Sequence, residues 1–349
     1  MAVLPETSSP GVAEITTVEP VRGSNHPVAM FLARRIATGI LTLLVVSILI
    51  FIATNILPGN VAVVVLGRAA NATTIHHLDV ELGLDHSAVS RYLTWLGGAV
   101  HGNFGHSAVA EAEGRSNSAI SATLGTPVRN SLLLAGITTI LLIPLTLLLG
   151  TIAGIHAGRK LDHLISIPAL IMGGLPEFVT GTVLIYIFFT KLNLLPPVDL
   201  LSGGESPLSD PKAIVLPVLT LLAVATGAGI RQVRTGMAET LQRDYVQVAR
   251  LNGVAERRVL TRYALRNALA PSVQIIAQNM QYLAGGIIIV ESVFAYPGIG
   301  TYLVNAVTSR DVIEVQAAAM ILATLYIVIY IAADLIVLFL VPKLRTGAA

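Results

Sequence analysis

The sequence contains no cysteine. Disulfides, thiolate nucleophiles and cysteine metal sites are therefore excluded, and redox chemistry says nothing about the compartment. Charge is also scarce. Asp, Glu, Lys and Arg make up 12% of the 349 residues, about half the share in a soluble domain. A phosphate-binding loop of the Gly-x-x-x-x-Gly-Lys-Ser/Thr type is missing. The nearest stretch, Gly154-Ile155-His156-Ala157-Gly158-Arg159-Lys160, has the wrong spacing. The chain is thus expected not to be an enzyme and not to hydrolyse ATP itself. No hydrolase triad stands out, and His76, His77, His101 and His106 match no metal-ligand spacing.

What the sequence has in abundance is apolar residues, 54% of the total, gathered in long blocks. A helix needs about 20 such residues to cross a bilayer. Six blocks approach or exceed that length: Ile36–Leu57, Ser131–Ile155, Leu164–Phe189, Ala213–Ile230, Ser272–Phe294 and Ile313–Val341. The expected fold is all-α and polytopic, with six transmembrane helices. Residues 1–30, rich in Ser, Pro, Thr and Glu, read as a disordered tail, and 31–349 as the membrane domain. With the N-terminus inside, fifteen of the 22 basic residues fall on inner segments, eight of them between Arg231 and Arg266. By the positive-inside rule both termini are cytoplasmic.

Several spans carry breaks. Gly150, Gly154 and Gly158 repeat every four residues, which predicts one close-packing helix face. Gly173, Gly174 and Pro176 interrupt the third span, and Gly285 and Gly286 the fifth. Such interruptions suit helix packing, a hinge or the lining of a path. Glu177, Glu291 and Asp334 lie within or at the ends of apolar spans. Ionisable groups there are costly and need partners or water. Glu177, next to Pro176, is the candidate for the translocation path. Glu291 and Asp334 are candidates for the path or for structural pairing. The outer segment 58–127 contains an amphipathic stretch around Tyr92 and Trp95, and Ser202–Pro207 reads as linker.

The inner loop 232–270 is too polar to span and too patterned to be disordered. Met237, Leu241, Tyr245 and Val248 recur at helical spacing, with Glu239 and Arg243 as an i,i+4 pair. Gly253 suits a left-handed cap. A second helix places Arg258, Arg262 and Arg266 on one face, and Val259, Leu260, Tyr263 and Ala264 on the other. A loop with two faces suggests a cytoplasmic protein partner as well as lipid headgroups.

Asp244 through Gly253, continuing to Tyr263-Ala264-Leu265-Arg266-Asn267-Ala268-Leu269-Ala270-Pro271, resembles the EAA loop of ABC-transporter permeases, most closely the dipeptide/oligopeptide family. Leu57-Pro58-Gly59, the segment Tyr92–Ser107, Glu291 through Gly300, Asp334 and Pro342 are similar to that family as well. The chain departs from it at Gln247, Val248, Asn252, Asn60 and Lys343. The resemblance implies a type I ABC importer permease in the plasma (inner) membrane of a prokaryote. It implies that Tyr245, Gln247, Val248, Ala249, Arg250, Asn252 and Gly253 dock an ATPase. The implied partners are a second homologous permease chain, two ATP-binding subunits or one fused ATPase chain, and an extracytoplasmic substrate-binding protein. ATP and Mg would sit on those partners, with no cofactor on this chain and no nucleic acid bound. The implied cargo is dipeptides or short oligopeptides, with nickel chelates or glutathione as alternatives in the same class. An ion-coupled carrier using the three acids is the reading from another class.

Overall fold

The computed structural model describes residues 27–56, 86–112, 118–197 and 207–340. Its helices are α1 (Pro27–Ile56), α2 (Ala88–Val100), α3 (Ala108–Ala112), α4 (Ile120–Ile155), α5 (Lys160–Gly174) and α6 (Glu177–Ile185), which runs on into a π turn, Tyr186–Lys191. Then follow α7 (Pro211–Leu241), α8 (Asp244–Leu251), α9 (Glu256–Arg258), a π segment (Val259–Leu265), α10 (Arg266–Val293), α11 (Ile299–Thr308) and α12 (Val312–Leu340). Among the described residues β-structure is limited to one bridge, His106 to Ala119. The tail up to residue 26, Pro58 and Gly59, His76 and His77, Ser202 and the C-terminal Pro342 lie outside the described residues.

Among the described residues, four helices are long and apolar enough to cross a membrane: α1, α4, α7 and α12. The fifth candidate is α5 with α6, bent by 111°. The third apolar block, expected as one span interrupted at Gly173, Gly174 and Pro176, is therefore two helices meeting at a sharp angle. The reason is local. A residue preceding proline is pushed out of the α region, and Leu175, before Pro176, sits at φ −90 and ψ 139. By contrast α10 passes Gly285 and Gly286 without a break. Caps fix the starts of other helices. Asp210 accepts from the Lys212 amide, with Pro211 as first helical residue. Asp311 accepts from the Glu314 amide at 3.0 Å and opens α12.

The bundle is built around α7, which is buried along most of its length. α4 lies parallel to it. Stepping four residues at a time, Thr146 meets Gly229, Gly150 meets Val233 and Gly154 meets Met237. A Cβ on Gly154 would sit 2.6 Å from Met237 Cβ and 2.8 Å from the Arg234 carbonyl oxygen. Gly158 does not share this face. α4 has ended at Ile155, and Gly158 adopts a left-handed φ of 77. α10 runs antiparallel to α7, with Gly236 beside Ala268 and Gly229 beside Asn279. α1 runs antiparallel to α12, joined by Arg35–Asp334 at one end and by Gln316 donating to Thr54 Oγ1 at 2.7 Å towards the other.

Two glycines of α4 provide a matched test. Gly154→Ala forces α4 away from α7 and is expected to destabilise by about 1–3 kcal/mol. Gly136, where a Cβ meets nothing within 4 Å, is expected to accept alanine with no loss. Thermal midpoints of the two detergent-purified variants check this.

Candidate functional site

The inner loop folds as a compact cap on the end of α7. The helix expected from Met237 to Val248 is broken. α7 stops at Leu241, Gln242 and Arg243 form a turn, and α8 starts at Asp244. Glu239 and Arg243 therefore do not share one helix. Asp244 stands in the first turn of α8, where a negative charge suits the helix dipole. The Gln247 amide reaches back across the break to the Leu241 carbonyl at 3.0 Å.

α8 has two faces. Val246 and Ala249 are buried against Val259, with Leu241 and Val254 alongside. Ala249, expected among the docking residues, thus packs inward. Tyr245, Val248 and Leu251 face out, at 42%, 53% and 87% exposure. Their i, i+3, i+6 spacing makes an apolar stripe on a helix whose other face is anchored.

The end of α8 is a complete Schellman motif. The Gly253 amide donates to the Arg250 carbonyl at 2.9 Å and the Val254 amide to Ala249 at 3.1 Å. Asn252 is the C-cap, and Gly253 takes the left-handed φ of 74 that disfavours any other residue. Arg250 forks onto Glu256 with contacts of 3.1 and 2.7 Å, closing the turn. The Arg250 guanidinium holds the Glu256 carboxyl below its usual range.

The arginine face beyond the turn differs from an α-helical expectation. Residues 259–265 wind as a π segment, so Val259 and Ala264, five apart, are both buried. Arg258 and Arg262 are exposed, while the side chain of Arg266 lies outside the description. Tyr263 is exposed too, against expectation, and Asn267 ties the strip to α8 by donating to the Tyr245 hydroxyl at 3.1 Å.

Each of the three acids has a partner. Glu177 is buried at the first position of α6, after Pro176, and accepts from the Tyr282 hydroxyl of α10 at 2.6 Å. Tyr282 is half exposed, so this acid lies just behind a surface. Glu291 is fully buried. It accepts from Ser131 Oγ and from the Gly300 amide, which fastens the start of α11 to α4 and α10. Its carboxylate fills the space where Gly298 would carry a Cβ. Asp334 is paired with Arg35 at 2.8 Å, and that guanidinium also lies over the rings of Phe31 and Tyr330. Glu291 and Asp334 therefore join helices, leaving Glu177 with Pro176 as the acid beside a break.

Sequence reasoning missed three features. Leu251, the most exposed member of the stripe, was hidden because an apolar residue beside Asn252-Gly253 reads as part of a turn. Asp162, fully buried and forked by Arg234, lay among loop residues between two apolar blocks. Asp311, also buried, accepts from Ser107 Oγ at 2.7 Å and anchors the outer segment, where Tyr92 and Trp95 cluster with Phe51. None of these partnerships is visible as a spacing.

Long apolar helices packed on a buried central one, with a capped helix offering an apolar stripe at one end, describe a polytopic helical membrane protein. The chain belongs to the binding-protein-dependent transport system inner membrane component family, which it matches over residues 146–346. Residues 28–118 match the corresponding N-terminal membrane component. A Brucella suis protein provisionally named a peptide permease is 33% identical over 318 residues, 89% of this chain and 97% of that protein. A peptide transport system permease protein of Brucella abortus, also provisionally named, is 30% identical over 312 residues, covering 89% and 98%. The metal-staphylopine import system permease protein CntB of Staphylococcus aureus is 30% identical over 322 residues, covering 91% and 99%. The chain is an inner-membrane permease subunit of a bacterial ABC importer of the peptide-transport type, and it functions with ATPase and substrate-binding partners.

The Arg250–Glu256 clasp sets a pH dependence. Because the folded carboxyl titrates below its unfolded value, its stabilisation is complete above the unfolded value and is lost as pH falls through the folded one. An exposed pair contributes at most about 1 kcal/mol. Glu256→Gln is expected to speed hydrogen exchange at the Gly253 and Val254 amides near neutral pH and to make no difference in strong acid.

Proposed function

We propose that this chain forms half of a two-chain path that imports dipeptides or short oligopeptides by alternating access, driven through α8. The observation that carries this reading is the outward stripe Tyr245, Val248 and Leu251 on a helix capped at Gly253 and joined directly to α7. An apolar stripe on a rigid helix is suited to a groove on another protein. In this reading Gln247, Arg250 and Asn252 set the shape of the docking element, and two ATP-binding subunits, or one fused ATPase chain, receive it. ATP and Mg stay on those subunits. A second permease chain completes the path, and an extracytoplasmic binding protein delivers cargo to the outer segment.

Six crossings with both ends inside fit the helix directions. α4 and α7 run parallel, so the chain between them must return across the membrane, which favours α5–α6 as a broken span over a re-entrant loop. α10 runs against α7, and α1 against α12. The alternation then closes with α10 as the fifth crossing. Glu177, buried behind half-exposed Tyr282, is the group we assign to a peptide's amino terminus. The staphylopine relative supports a second reading in which the cargo is a metal chelate. A proton relay through the three acids is disfavoured, because Asp334 is engaged by an arginine and Glu291 by amide and hydroxyl donors.

Two experiments test this. Leu251→Asp, on a largely exposed site, is expected to leave the permease folded and to abolish co-purification of the ATPase; an intact complex contradicts docking by α8. Glu177→Gln is expected to reduce uptake of peptides with a free amino terminus about tenfold relative to N-acetylated ones. Equal uptake of both by wild type and variant contradicts the assignment.

A further inference from the structure

Asp162 is buried at the inner end of α5 with both carboxylate oxygens fully used. Oδ1 accepts from Arg234 Nε at 2.5 Å and Ser166 Oγ at 2.9 Å. Oδ2 accepts from Arg234 Nη2 at 2.6 Å and the Gly158 amide at 2.8 Å. One side chain thus ties together three pieces: the left-handed turn after α4, the first turn of α5, and α7 one helical turn before Met237. Met237 itself packs on Ala264 and Ala268, with Ile155, Leu241 and Leu260, beneath the α8 cap. The planar fork of arginine fixes orientation as well as distance, which a lysine cannot do.

α5 then lies flush along α7. At its far end Gly173 packs on Gly227, where a Cβ on Gly227 would come within 2.9 Å of Gly173 Cα. Fifteen residues of helix, about 22 Å at the usual rise, lead from the Asp162 end to the Leu175–Pro176 break. The next residue is Glu177. The buried pair therefore stands at one end of a lever whose other end carries the acid bonded to Tyr282.

We propose that Asp162–Arg234 is a positioning latch that makes the inner ends of α4, α5 and α7 one rigid body with α8, so that displacement of α8 is delivered through α5 to Glu177. The inference rests on the reading of α8 as the ATPase-docking helix. Neither residue touches cargo or nucleotide in this role. They act by preventing α5 from slipping on α7 when α8 is pushed.

The test uses the assembled complex in proteoliposomes, with spin labels at Leu164→Cys on α5 and Arg257→Cys beside the α8 cap. Both positions are exposed, and no native cysteine of this chain competes. In the wild type the label distance is expected to stay the same in the nucleotide-free and vanadate-trapped states. In Asp162→Asn and Arg234→Lys it is expected to be broader already without nucleotide and to shift on trapping. Stimulation of ATP hydrolysis by the binding protein is expected to fall about tenfold in both variants. A wild-type distance that changes on trapping overturns the proposal. So do variants that keep both the wild-type distance and the stimulation. If no ATPase co-purifies even with the wild type, the docking reading fails on its own. The latch is then judged on nucleotide-free distances, which must still broaden in the variants.

Discussion

The architecture depends on how closely α4 and α5 can approach α7. Within a bilayer no hydrophobic force drives one apolar helix onto another, so association relies on shape and on internal hydrogen bonds. Gly150 and Gly154 let α4 settle onto Val233 and Met237, and Gly173 and Gly227 do the same for α5. Dispersion contacts between backbones at this range are numerous and individually small. Polar clamps then fix the register that smooth surfaces would leave free. Asp162–Arg234 sets α5 on α7, Glu291 sets α11 on α4 and α10, and Arg35–Asp334 sets α1 on α12. Each clamp is an ionisable side chain that the bilayer would otherwise penalise heavily.

This packing gives the inner loop its mechanical meaning. α8 does not hang from a flexible linker. Its inner face shares Leu241 with the end of α7, and its far end is closed by the Gly253 cap and the Arg250–Glu256 pair. A force applied to the exposed stripe is borne by α7, the most buried of the four long apolar helices. At the Pro176 break the direction of the chain changes sharply, and a carboxylate lies behind a partly exposed tyrosine.

Much of this was legible in the residues alone. Apolar block length located α1, α4, α7 and α12, because bilayer thickness is a fixed ruler. Pro176 announced a break, although the size of the bend depends on α5 being held against α7 and could not be read from the block. The EAA-like pattern located α8 and Gly253. Helical spacing misled at two points. It carried one helix through Gln242–Arg243, where the chain turns, and it treated residues 259–265 as α-helical, where a π winding brings Val259 and Ala264 inward together. Partnerships such as Asp162 with Arg234, 72 residues apart, leave no trace in spacing because they are made only when the helices pack.

In the proposed mechanism α8 presents Leu251 to an ATPase at the cytoplasmic face. The most direct measurement places a single cysteine there, Leu251→Cys, in a chain that has no other cysteine. Its reaction with a membrane-impermeant maleimide is followed in intact cells and in inverted membrane vesicles, before and after the ATPase subunits are stripped. No labelling is expected in intact cells, little in vesicles that retain the ATPase, and strong labelling once it is removed. Labelling from outside intact cells, or labelling in vesicles that is indifferent to the ATPase, would contradict it.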